Sequence, residues 1–254
     1  TFVVNATLKH LPTGMVAASV TGQGKGPEGI LEAARAAADA LLQASARAAA
    51  GSDADAILAE HRSGVRTFAN AEAALLRLAL SQPAALDPQA ALLALYASAP
   101  GQDQRIADLG RSLLLRLGEI QPDDLVIFER LAVDPFGMVG HSLLRLEDYA
   151  AAAKCLEIGV QVYPLHTREN TVLLARARLG LKEFDKAQAL LAQVLTDSPA
   201  NAQALYWRAA ASEAQGRPAD AARQYQEVTR LAPDSPEARL ATERIRALAP
   251  PAKP

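Results

Sequence analysis

Along residues 2–10, Phe2, Val4, Ala6 and Leu8 alternate with Val3, Asn5, Thr7 and Lys9. A second β-prone run covers residues 15–21, and Pro12-Thr13-Gly14 lies between the two. Two alternating runs flanking a Pro–Gly turn predict a β-hairpin. From Ile30 to Ala49 the period changes. Ile30, Ala34, Ala37, Leu41, Ala44 and Ala48 recur at helical spacing, with Leu31, Ala38 and Leu42 widening the stripe. Shorter helices follow. One starts at Ser52-Asp53-Ala54-Asp55 and stops at Ser63-Gly64, and one covers 69–81 ahead of Pro83. Asp87-Pro88 reads as an N-cap and first helical residue opening a helix through Ala99, ended by Pro100-Gly101. Arg105 to Leu117 presents Ile106, Leu109, Leu113 and Leu117 on one side.

The last third repeats itself. Pro164, Pro199 and Pro233 stand 35 and 34 residues apart, and so do Ala152, Ala187 and Ala221. The same two spacings relate Gly140, Ala175 and Ala209; Tyr149, Phe184 and Pro218; Leu156, Leu191 and Tyr225; and Gly159, Val194 and Val228. Six columns in one register define helix pairs at 133–166, 168–201 and 202–235, with a closing helix at 236–248. Small residues in the Gly140 and Ala152 columns let paired backbones approach. The prolines end each second helix. Leu240 and Ile245 are expected to face inward from the closing helix. Glu237, Arg239, Glu243, Arg244 and Arg246 are left for solvent.

These columns and their period resemble the tetratricopeptide repeat (TPR). The resemblance implies a mostly α fold, a helical solenoid in which each pair buries its apolar face only against its neighbours. It also implies a concave groove lined by the first helices, taking an extended or helical segment of another protein. At groove positions the helical spacing places His141, Arg145, Arg176, Tyr206 and Glu213, the candidate partner-binding set. His141 and Arg145 with Arg176 make one end positive and Glu213 the other end negative. The carboxylate-gripping version of this groove carries Asn and Lys on these helices; His141, Arg176 and Ala210 stand here instead. Other departures are Thr171 in place of a large residue, Arg208 in place of a Leu beside Trp207, and Pro218 in place of an aromatic.

The amino-terminal order of hairpin, loop and long helix is weakly similar to the end of α/β domains of TolB amino-terminal and curli-secretion-lipoprotein type. The resemblance rests on Thr13-Gly14-Met15-Val16-Ala17-Ala18-Ser19. It implies that residues 1–50 belong to an α/β module; the short helices of 51–132 look like degenerate TPR-like hairpins, and the TPR resemblance gives 133–250 three repeats and a cap. A two-stranded sheet is marginal alone. The hairpin is therefore expected to pair with upstream sequence or another chain.

Composition narrows the chemistry. Among 254 residues half are hydrophobic but only 4% aromatic, so the apolar content is Ala, Leu and Val. Lys and Arg number 26 against 28 Asp and Glu. No basic excess exists to neutralise a phosphate backbone, so no nucleic-acid partner is expected. No apolar run is long enough for a membrane span. Cys155 is the single cysteine, which excludes an internal disulfide; flanked by Ala152, Ala153 and Leu156, it reads as a packing thiol.

Gly24-Lys25-Gly26-Pro27-Glu28-Gly29 matches G-x-G-x-x-G, but no second parallel strand and acidic residue follow, and Pro27 removes an amide a phosphate would need. His10, His61, His141 and His166 have no metal spacing, with His61 read as an exposed helix end. Asp123-Asp124 reads as a helix start after Pro122. Asn5-Ala6-Thr7 is a sequon within a strand. No catalytic residue, cofactor or metal is expected.

The function these readings imply is a non-enzymatic protein–protein interaction scaffold in a bacterial multiprotein assembly. The Ala, Leu and Arg content suits a high-GC genome. The alternative is the sensor or effector portion of a multidomain signalling or transcriptional regulator. A winged-helix or cyclase sequence before Thr1 would favour the second, and a lipoprotein signal there an envelope scaffold. Compartment is left open.

Overall fold

The computed structural model describes residues 2–9, 16–24, 29, 31, 32, 34–36, 38, 53–83, 85–117, 126–163 and 166–248. The chain divides into two units, Thr1–Met138 and Val139–Pro254.

In the first unit, strands β1 (Phe2–Lys9) and β2 (Val16–Gly24) run antiparallel. Phe2 faces Gly24, Lys9 faces Val16, and the register is irregular between Leu8 and Lys9. β2 continues through Gly22-Gln23-Gly24, where the sequence reads as the start of a loop. The Pro12-Thr13-Gly14 turn lies outside the described residues, and so do Lys25–Glu28 and Asp123-Asp124.

Among the described residues from 53 onward this unit holds α1 (Asp53–Arg62), α2 (Phe68–Ser81), α3 (Asp87–Ala97), α4 (Asp103–Leu117) and α5 (Val126–Arg130). α3 is the hub, touching each of the other four. Its sequence DPQAALLALYA is apolar on every side, and Ala90 to Leu93, Leu95 and Tyr96 are buried. Thr67 caps α2 by accepting from the Asn70 N–H at 3.3 Å.

Asp87 does not cap α3. The cap position is Leu86, and the Asp87 carboxylate accepts from Arg130 at 3.1 Å, an arginine that also meets Asp55 at 2.9 Å. An ion pair with a residue 43 positions away has replaced a local backbone bond. His61 is not simply an exposed end either. Its Nδ1 lies 3.1 Å from the Arg66 carbonyl and its ring meets Phe68 edge-on, fastening the turn between α1 and α2.

Helix α6 (Pro135–Arg145) runs into the second unit. That unit continues with α7 (Tyr149–Val162), α8 (Thr167–Gly180), α9 (Phe184–Asp197), α10 (Ala202–Ala214), α11 (Pro218–Leu231) and α12 (Pro236–Leu248). Sequential helices from α7 onward pack on each other, and α8, α10 and α12 also touch in series. They form one layer of a solenoid, with α9 and α11 behind. Ala152, Ala187 and Ala221 are fully buried, as are Ala175 and Ala209, while Leu191, Tyr225 and Val228 fill the spaces between helices. A Cβ on Gly140 would lie 2.5 Å from Leu156 Cγ, and one on Gly180 would collide with the Tyr149 ring. Tyr149 therefore seals α8 as well as its own turn.

Three turns share one backbone device. Glu147, Lys182 and Gly216 have φ of 59°, 61° and 73°. After each, the next amide donates five residues back: Asp148 to Leu143, Glu183 to Arg178 and Arg217 to Ser212. Only one of the three is glycine, so the other two carry the steric cost of left-handed backbone. Lys182→Gly is expected to raise stability by roughly 0.5–1 kcal/mol. An unchanged or lower urea midpoint would show that the Lys182 stem contributes packing that offsets this strain.

The closing helix differs from expectation. Ala238 and Ala241 are its buried residues, and Leu240 is 47% exposed. Arg244 is not left to solvent but pairs with Glu213 of α10. Thr171 is buried, its hydroxyl donating to the Thr167 carbonyl at 2.6 Å, and Arg208 is held by Glu227 of α11.

Candidate functional site

The candidate groove residues fall into two groups. Arg176 on α8 and Tyr206 and Glu213 on α10 come together with residues that sequence reasoning left out. His141 and Arg145 are exposed on α6 and lie outside that cluster.

Arg176 sets its guanidinium carbon 4.6 Å from the centre of the Trp207 ring. This is a cation–π contact in a partly desolvated place, where such contacts are strongest. Burial pushes the guanidinium below its ordinary pKa. The Trp207 ring meets Tyr206 edge-on at 5.4 Å, and Tyr206 in turn lies 5.4 Å from Tyr225. Tyr206 and Trp207 rest against the apolar core and remain partly open. Burial raises the Tyr206 phenol, with Arg244 opposing.

Glu213 does not supply a bare negative end. It accepts from the Tyr225 hydroxyl at 3.0 Å and from Arg244 Nε at 3.2 Å, with a second Arg244 nitrogen on its other oxygen. Its charge is matched within the fold. Burial and then Glu213 push the Tyr225 phenol upward, and Glu213 does the same to Arg244. The carboxylate fastens the closing helix to α10 and Tyr225.

Trp207, Leu240 and Arg244 belong to this surface. The signal for the last two was the period itself. Val172, Tyr206 and Leu240 are spaced by 34, as are Arg176, Ala210 and Arg244. Extending the columns onto the closing helix aligns Leu240 with Tyr206 and Arg244 with Arg176 and Ala210. Trp207 had no such signal, because the column before it holds Leu173.

Among the described residues no group of three or more His, Cys, Asp or Glu is placed to hold a metal, and no helix is long and apolar enough to cross a membrane. Cys155 is buried. A cleft of about 260 Å³ between the start of α8 and the end of α9 is lined by Thr167, Arg168, Glu169, Thr171, Gln193, Val194 and Asp197, away from the aromatic cluster.

The helix pairs, their 34-residue period and their buried small-residue columns are those of a helical repeat. Residues 172–240 match the tetratricopeptide repeat. The TPR match runs from within α8 into α12, and the cluster except Arg244 lies inside it. Among solved structures, the MamA protein is similar with a TM-score of 0.50 and 15% identity, over 70% of this chain and 89% of that one. The likeness supports the solenoid fold. The first TPR of Spaghetti (RPAP3) bound to an HSP90 peptide is similar at 23% identity and a TM-score of 0.39, over 44% of this chain and 86% of that one. MamA residues 41–end from Desulfovibrio magneticus RS-1 are similar at 19% identity and 0.36, over 56% of this chain and 93% of that one. No curated protein matches.

Proposed function

We propose that this chain is a non-enzymatic protein–protein interaction module that takes a segment of a partner protein along the face formed by α6, α8, α10 and α12. The observation that carries this reading is the Arg176–Trp207–Tyr206 cluster. Large aromatic and arginine side chains on first helices, only partly covered, are the residue types that anchor interfaces. His141 and Arg145 extend that face on α6. Residues 51–132 as degenerate repeats, and the amino-terminal strands as part of an α/β module completed by upstream sequence or another chain, belong to the same proposal. So does service in a bacterial assembly.

Placement of a photo-crosslinking residue tests the groove. Ala210 lies between Arg176 and Arg244 in the repeat column, and Ala192 is exposed on α9. Crosslinks to the partner are expected from position 210 and not from position 192. The reverse pattern would move the interface to the second helices. Charge gives a separate readout. Arg145→Glu, an exposed change, is expected to alter stability by less than about 0.5 kcal/mol. It should slow capture at low salt by several-fold, because rim charges act on encounter. Capture rates equal to wild type would remove α6 from the interface.

A further inference from the structure

Resting on the groove reading above, the geometry points to a subsite for a partner segment with one side-chain carboxylate and one apolar side chain. We propose that the carboxylate binds the Arg176 guanidinium on Trp207, and that the apolar side chain lies on Tyr206 and Leu240.

The arginines of this unit differ in what holds them. Arg178 is held by Glu157 and Glu183, Arg208 by Glu227, and Arg244 by Glu213. Arg223 meets Asp220. Arg176 sits among the partly buried ones, yet among the described residues no carboxylate or carbonyl oxygen accepts from it. Its one close charge-related contact is the Trp207 ring. The guanidinium carbon lies over the ring, and a guanidinium presents its N–H donors in its own plane, in the fork that suits a carboxylate. A half-desolvated cation without an anion costs free energy that a bound carboxylate would recover. The lowered pKa of Arg176, with burial as its cause, is the same imbalance seen from the proton's side. Arginine nevertheless stays charged at neutral pH.

Arg244 does not compete for that carboxylate. It holds the next place but one in the same column, but Glu213 already occupies it. This gives the surface a direction, with an unmet positive charge on α8 and a neutralised pair between α10 and α12. Leu240, 47% exposed on α12, follows Tyr206 in its column, and Ala210 between the two arginine positions is small. The end beyond Arg176 therefore offers the Tyr206 ring and an exposed leucine beside a charge pair that is already matched. Helix axes in contact lie about 8–10 Å apart. A point between α10 and α12 is then about 12–15 Å from α8. An extended segment covers this in about four residues at roughly 3.3 Å each.

The chain offers its own reporter, because Trp207 is the single tryptophan. The probes are twelve-residue Gly/Ser peptides with one Glu and one Leu at every spacing from neighbouring to six apart. Matched peptides carry Gln or Lys in place of Glu. With the whole chain, Glu–Leu peptides at spacings near four are expected to shift Trp207 emission saturably. They should bind at least tenfold more tightly than the Lys peptides at low salt, with the ratio shrinking as salt rises. In Arg176→Gln the preference for Glu over Gln should disappear while the Leu contribution stays; Leu240→Ser should do the opposite. Circular dichroism checks both variants. If Arg176→Gln loses helicity, Arg176→Lys serves instead, keeping the charge without the planar fork and losing most of the preference. Absence of any saturable shift, equal binding of Glu and Gln peptides, or a Glu preference that survives loss of Arg176 would each overturn the subsite. The groove reading fails separately, through the absence of crosslinks from position 210. Crosslinking from 210 with no Glu preference would leave the groove and remove this subsite.

Discussion

Tyr225→Ala is expected to cost the second unit about 3–5 kcal/mol, the range for removing a large buried ring. Tyr225 is 1% exposed and lies at the meeting point of α10, α11 and Tyr206. Its hydroxyl also donates to Glu213, the carboxylate that fastens α12. The two roles separate by substitution. Tyr225→Phe keeps the ring and removes one hydrogen bond, for about 1 kcal/mol. Urea unfolding followed by circular dichroism and by Trp207 emission measures both. In a repeat array the loss should appear first in the Trp207 signal, because stability is summed from local units and their interfaces. If the Ala variant unfolds no earlier than the Phe variant, the ring is not the element that joins the last repeat to its cap.

A second large effect is expected at Gly140, where a single methyl group is enough. A Cβ there would stand 2.5 Å from Leu156 Cγ, well inside contact distance. Glycine to alanine within a helix ordinarily gains about 1 kcal/mol. Here overpacking, at about 1–3 kcal/mol, should outweigh that gain and leave Gly140→Ala destabilised. Leu156→Ala alone is expected to cost about 2–5 kcal/mol through its cavity. The double variant should cost less than the two added together, by more than about 0.5 kcal/mol, since each change makes room for the other. The pair sits at the α6–α7 contact, so a strictly additive result would mean that α6 and α7 shift apart under the added methyl rather than resist it.

The closing helix shows why part of the site was legible and part was not. Position 240 was assigned inward because it is a leucine on a helix that must pack. Its column does not settle the matter, since Val172 is buried, Tyr206 partly open and Leu240 exposed. Ala238 and Ala241 are buried instead, since small residues let α12 approach α11 closely. Glu213 was expected to stand as a bare charge on the face, but its partner Arg244 is 31 residues on, and no local rule pairs them.

The order of helices in the second unit, their approximate bounds and the repeat period follow from the sequence alone. Periodic alanines, glycines and prolines act through local sterics and through contacts with the adjoining helix, so their spacing carries the structure with it. The tertiary structure decided which charges are spent and which remain. Asp87 went to Arg130 rather than to its own helix end, and Glu213 went to Arg244. Arg176 found a tryptophan ring rather than an acid. Long charged side chains choose among neighbours brought close by helix packing, and that choice depends on distances of a few ångströms that residue order does not encode locally.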